Sequence, residues 1–114
     1  MITIYHNPRC SKSRQTLQLL NDRGVEPNIV LYLDTPPDKT TLASLLDKLG
    51  IGARQLLRKG EASYKENNLK NPDLSEDELI DYMVKYPKLI ERPIVVVGNK
   101  AALGRPPEAV LDIL

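Results

Sequence analysis

The run Ile94-Val95-Val96-Val97 has no polar side chain, so a strand built from it has no face that can be left in water. Any fold for this chain has to cover that strand on both sides. Gly98-Asn99 follows directly and is a two-residue hairpin signal, with glycine at the first turn position as a type II′ turn requires. Lys100 to Leu103 is then expected to return antiparallel. At 114 residues the chain is long enough for one domain with a core of its own. Its single cysteine rules out an intrachain disulfide.

The other elements follow from periodicity and punctuation. Ile2 to Tyr5 reads as a short strand and His6-Asn7-Pro8-Arg9 as a loop. A helix is expected from about Ser11 to Arg23, carrying Leu17, Leu19 and Leu20, with Gly24 as its stop. Asn28 to Leu33 is a second strand, and Pro36-Pro37 breaks the chain. This β-α-β unit favours a parallel strand pair with a right-handed crossover. Asp38 can cap a helix whose leucines, Leu42, Leu45, Leu46 and Leu49, keep helical spacing, and Gly50 ends it. A short helix is expected over Ala53 to Leu57 and a loop over Asn67 to Asp73. Ser75 and Glu78 form a capping box, with Leu74 and Leu79 as its hydrophobic staple, for a helix that runs to about Tyr86 and stops at Pro87. Pro106-Pro107 is expected to open a last helix carrying Val110, Leu111 and Ile113. The order is β-α-β, a helical block, then β-β-α. This is an α/β chain with a thioredoxin-like layout: a mixed four-stranded sheet in one domain over 1–114, with a helical insertion at about 38–90 between the second and third strands.

Charge and composition narrow the function. A formal net charge of +1 does not suit a protein that coats nucleic acid or an anionic membrane by bulk charge. No apolar run approaches a membrane span, and Met1-Ile2-Thr3-Ile4-Tyr5 is not the start of a signal peptide. One cysteine and one histidine make a poor metal site, so no metal is expected. These features fit the reducing cytoplasm.

Cys10 stands where the first loop meets the first helix. Unpaired backbone N–H groups and the helix dipole favour an anion there, which lowers a thiol pKa and raises the thiolate fraction. Ser11 and Ser13 add hydroxyls, Arg9, Lys12 and Arg14 add positive charge, and His6 precedes the loop. The phosphate loop of low-molecular-weight tyrosine phosphatases needs an arginine at the place held here by Thr16, which excludes that chemistry and the thioredoxin-linked arsenate reductases that share the loop. Cys10-Ser11-Lys12-Ser13 is instead the Cys-x-x-Ser form of a thioredoxin-type redox site, with no second thiol to resolve an adduct.

His6-Asn7-Pro8-Arg9-Cys10-Ser11-Lys12-Ser13-Arg14 resembles the active-site segment of the glutaredoxin-dependent arsenate reductases. So do Leu31-Tyr32-Leu33 with Pro36-Pro37, Leu56-Leu57-Arg58-Lys59, Glu91-Arg92-Pro93-Ile94-Val95-Val96 and Gly104-Arg105-Pro106-Pro107, in order and nearly end to end. The resemblance implies that Cys10 is the nucleophile and that Arg58, Arg92 and Arg105 surround the oxyanion, with Ser11, Ser13 and Arg14 beside them. It implies that His6 tunes the thiolate and that Arg92-Pro93 is a cis peptide. It also implies arsenate as substrate, glutathione as co-substrate, glutaredoxin as protein partner, and no bound cofactor. A monomer is expected. The run Cys-Ser-Lys-Ser-Arg departs from the Cys-Gly-Thr-Ser-Arg of better-known members, which leaves another oxyanion open as substrate. Two other readings stay open: a regulator that binds RNA polymerase, and a general glutathione-dependent thiol oxidoreductase. An oxyanion enzyme would need all three arginines, and a regulator would not.

Overall fold

The computed structural model describes residues 1–114. They gather into two compact units, Met1–Thr35 with Arg92–Leu114, and Pro36–Glu91. No helix is long and apolar enough to cross a membrane.

The first unit holds β1 (Ile2–Tyr5), α1 (Ser11–Asp22), β2 (Asn28–Val30), β3 (Ile94–Val97), β4 (Lys100–Leu103) and a closing 3-10 helix, Pro107–Ile113. The sheet order is β2-β1-β3-β4, with β1 parallel to β2 and antiparallel to β3, and β3 antiparallel to β4. The apolar strand β3 is therefore internal, and Ile94 and Val95 are buried. Ile4 of β1, Leu20 of α1, Val95 of β3 and Val110 of the closing helix form the core. Val97 pairs with Lys100 across Gly98-Asn99. Gly98 has φ +62° and Asn99 is not left-handed, as the type II′ turn needs. This is a thioredoxin-like sheet.

Two expectations for this unit need correction. Strand β2 ends at Val30 and does not reach Leu33. The backbone N–H of His6 donates to the Val30 carbonyl at 2.8 Å, after which the chain leaves the sheet, so β2 has no partner to continue along. Residues 31–35 turn instead, with the N–H groups of Asp34 and Thr35 both donating to the Leu31 carbonyl. The last helix is 3-10 and not α. It is short and starts between two prolines that offer no N–H; its turns close through i to i+3 bonds such as Ala109 N–H to Pro106 O at 3.0 Å. Helix α1 runs Ser11–Asp22 with Arg23 as its C-cap, as expected.

The second unit is helical: α2 (Lys39–Leu49), α3 (Ala53–Leu56), α4 (Ala62–Glu66), α5 (Glu76–Lys85) and a 3-10 turn at Pro87–Leu89. Asp38 caps α2 by accepting from the Thr41 N–H at 2.8 Å. Ser75 and Glu78 close the capping box of α5 with two bonds of 3.1 Å. Helix α5 packs on α2 and α3, burying Leu79, Ile80 and Met83, while α2 buries Leu42, Leu45 and Leu46. Helix α4 gave no signal in the sequence because it buries no side chain, so it has no apolar stripe to read.

Gly104 follows β4, and its absent side chain matters. A Cβ there would collide with Thr16 Oγ1 on α1 and come within 2.7 Å of Pro93 Cγ. Thr16 is fully buried and its hydroxyl is committed to the Lys12 carbonyl at 2.8 Å, so it cannot swing away freely. Gly104→Ala is expected to destabilise the fold by about 1–3 kcal/mol, the usual cost of overpacking. Denaturant titration measures this, and an unchanged midpoint would show that α1 and β4 can separate at no cost.

Candidate active site

The site starts where β1 ends. His6 is buried, and the turn behind it closes with the Cys10 N–H donating to Asn7 O at 3.0 Å and the Arg9 N–H to Asn7 Oδ1 at 3.0 Å. Asn's habit of bonding its own backbone two residues on explains the tight turn. Ser13, fully buried on the first turn of α1, ties the loop to the helix. Its Oγ accepts from the Asn7 N–H at 3.0 Å and is hydrogen-bonded to His6 Nδ1 at 2.7 Å. Arg14 Nη1 donates to Pro8 O at 2.9 Å, so this exposed arginine braces the loop. Ser11 lies exposed on the outer side of the helix start.

Cys10 is the N-cap residue of α1 and is 8% exposed. Its sulfur makes no fully formed capping hydrogen bond, yet its pKa lies below the ordinary value. Burial pushes the thiol up. The Ser13 N–H, a side-chain hydrogen bond from Arg92, the Arg92 charge and the Lys12 N–H together push it further down. The cation that matters is thus Arg92, which enters from the start of β3. The side chains of Arg9, Lys12 and Arg14, though adjacent along the chain, are not among the groups that set the thiol pKa. Arg92 is half-buried, and Arg105 Nη1 donates to its backbone carbonyl at 3.4 Å. Arg92-Pro93 and Arg105-Pro106 are both cis. The family resemblance implies only the first of these.

Burial, then the Arg14 charge, hold the His6 pKa below the ordinary value, which favours the neutral ring. Its observed bond goes to Ser13, which positions the loop that carries Cys10.

Cys10, His6, Ser11, Ser13, Arg14, Arg92 and Arg105 all lie in the first unit, and Arg58 in the second. Arg58 is held by the bridge between Leu57 and Ile90, with its N–H donating to Leu89 O at 2.8 Å. Its guanidinium pairs with Glu61 Oε2 at 3.1 Å and Glu91 Oε1 at 3.7 Å. Sequence reasoning missed both carboxylates and the burial of Thr16 under Gly104. Glu61, three residues beyond Arg58, was the one signal available. No group of three or more His, Cys, Asp and Glu side chains that could hold a metal ion is gathered anywhere.

The chemistry this arrangement allows is nucleophilic attack by a thiolate on a small electrophilic oxyanion, with an arginine beside the sulfur. The chain's relatives are consistent with it. YfgD of Escherichia coli K12 is 60% identical over 114 residues, 99% of this chain and 96% of that one. An arsenate reductase of Haemophilus influenzae is 51% identical over 114 residues, 99% and 98% of the two chains. The structure of an arsenate reductase from Vibrio cholerae superposes with a TM-score of 0.97 at 50% identity, covering 99% of this chain and 97% of that one. Residues 5–113 match the model of the ArsC family, and with full-length relatives at this identity the chain belongs to that family.

Proposed function

We propose that this protein is an arsenate reductase that uses Cys10 as its nucleophile and glutathione with glutaredoxin as its source of electrons. The observation that carries the reading is the place of Cys10 at the N-cap of α1, with Arg92 beside its sulfur, in a chain with full-length arsenate reductase relatives. Arsenate carries between one and two negative charges at neutral pH, and the planar fork of arginine suits it better than lysine does. Arg92 and Arg105 are assigned to it. Arg58 is assigned by resemblance.

In this cycle the Cys10 thiolate attacks arsenic(V). An arsenate oxygen leaves as water after taking up protons, giving a sulfur–arsenic bond. The glutathione thiolate then attacks the Cys10 sulfur. The sulfur–arsenic electron pair stays on arsenic, which becomes arsenic(III), and a Cys10–glutathione disulfide forms. A glutaredoxin thiolate takes the glutathione and returns Cys10 as thiolate. The whole chain acts as a single-domain monomer, in a reducing compartment such as the cytoplasm.

The test follows from the cysteine count. Cys10 is the only sulfhydryl in the chain, so no internal disulfide can form for thioredoxin to reduce. Arsenate reduction is expected with glutathione and glutaredoxin, and not with thioredoxin, thioredoxin reductase and NADPH alone. Sustained turnover in the second mixture would overturn the cycle. No turnover in either would point to the regulator or the general oxidoreductase.

A further inference from the structure

Helix α4 buries no side chain, yet the turn that follows it is firmly held. Leu69 is fully buried, and the Arg54 guanidinium donates to the carbonyls of Leu69 and Asn71 at 2.8 and 2.9 Å. Asn68, just before Leu69, has φ +51°, a left-handed backbone that asparagine tolerates better than most residues. Helix and turn form a cup of about 370 Å³ lined by Lys59, Tyr64, Lys65, Asn68 and Lys70. That volume falls in the range for small-ligand clefts, roughly 300–1,000 Å³. All five residues belong to the second unit, and the mechanism uses none of them.

Three of the lining side chains are lysines and none is a carboxylate. The ion pairs of the protein are Lys39–Asp81, Arg58–Glu61 and Arg58–Glu91, so these three lysines are not neutralised. A sphere of 370 Å³ is about 9 Å across, close to one Debye length at physiological salt, so the charges repel one another across the cup. Core packing does not account for the cluster, because α4 adds nothing to the core. A bound anion relieves the repulsion. Tyr64 is half-buried in the same wall, and no cation lies over its ring; the cation–π pair of this protein is Lys85 on Tyr86. The tyrosine ring and the lysine stems give the cup apolar walls on which a flat ring can stack. Asn68 adds an amide donor and acceptor at the rim. A bare anion would use the lysines and leave the tyrosine face in water, whereas a heterocycle joined to phosphates uses both. A diphosphate ester carries between two and three negative charges at neutral pH, about 1.5–2 of them on its terminal phosphoryl group, which suits three lysines. The geometry points to a nucleoside diphosphate site. Lys59, Lys65 and Lys70 take the phosphates, the Tyr64 ring stacks on the base, and Asn68 hydrogen-bonds at its edge. The site uses none of the residues around Cys10 and stands apart from the arsenate reading.

Titration of the full chain with ADP, followed by amide NMR, tests it. ADP is expected to shift the signals of Lys59, Tyr64, Lys65, Asn68 and Lys70, with a Kd that rises as salt is added. Lys65→Gln and Lys70→Gln are each expected to weaken ADP about 5–10-fold, the loss of one charge-assisted contact at an exposed site. Both side chains are exposed, so the fold is not at stake. Pyrophosphate should bind more weakly than ADP, and adenosine more weakly still. If millimolar ADP shifts none of these signals, or either variant binds ADP as the wild type does, the cup is not a phosphate site. If pyrophosphate binds as tightly as ADP, the Tyr64 ring is not used and the nucleotide assignment is wrong. If ADP fails and polyglutamate shifts the same signals, the cup docks an acidic protein segment and the nucleotide assignment falls with it.

Discussion

Cys10→Ser is expected to bring arsenate reduction down to the background of an assay without protein, and to leave the fold intact. The two halves of this result have separate causes. The serine hydroxyl ionises far above the working pH, and the N–H groups of Ser13 and Lys12 with the Arg92 guanidinium cannot make an alkoxide of it. No nucleophile remains. For the fold, Cys10 is the N-cap of α1 and its sulfur forms no capping hydrogen bond. Serine is among the preferred N-cap residues, and a capping side chain is worth about 0.5–2 kcal/mol relative to alanine. The variant should therefore melt no lower than the wild type. Thermal melts beside the arsenate assay check both halves. A variant that keeps turnover shows that Cys10 is not the nucleophile, and one that loses turnover together with its melting transition says only that the fold has gone.

Arg92→Gln carries the second large effect. The substitution keeps much of the side-chain bulk and a donor, and removes the charge. Arg92 acts on the thiol twice, through a hydrogen bond and through its charge, and both lower the pKa. The sign follows directly: without them the midpoint rises, so less thiolate is present at pH 7 and the alkylation curve moves to higher pH. The wild-type midpoint should lie below the free value of about 8.5. Arsenate kcat/KM should fall by about 10²–10³, the scale for losing one preorganised donor at a reacting centre. Arg105→Ala separates the two roles of the arginines. Arg105 is not among the groups that shift the thiol, so its loss should lower arsenate turnover and leave the alkylation midpoint in place. If Arg92→Gln leaves the midpoint unmoved, the sulfur is activated by the helix start alone. If either variant melts far lower but keeps turnover per folded molecule, that arginine is structural.

These two variants also mark what could be read along the chain. The position of Cys10 at a helix start is a local fact, visible in eleven residues from Ile2 to Lys12. The leucines of α2 and the Ser75–Glu78 box are local in the same way, and they set real helices. The cation at the sulfur was not local. Arg9, Lys12 and Arg14 are near Cys10 in sequence, but Arg14 spends its guanidinium on the Pro8 carbonyl and the residue that meets the thiol arrives on β3. Family resemblance named Arg92, but for the oxyanion, and nothing in residue order says that the same guanidinium reaches the sulfur. His6 shows the other limit. Its place in the loop was legible, but its lowered pKa comes from burial and the Arg14 charge, both products of tertiary structure. The early end of β2 and the 3-10 form of the last helix depend on which hydrogen-bond partners run out, which residue type alone does not record.

The register Tyr5 with Ile94 places the start of β3 at the sheet end where β1 gives way to the Cys10 loop. The nucleophile and its cation are therefore brought together by one antiparallel strand pair, and everything between Pro36 and Glu91 is, to that pair, a closed loop. The entropy of closing a loop grows only with the logarithm of its length, about 0.6 kcal/mol for each doubling. A few residues added to or taken from the exposed connection around Pro72 and Asp73 would change that term by far less. Such length variants should leave the alkylation midpoint of Cys10 where it is, and the segment between the two strands is free to diverge in length without detuning the sulfur.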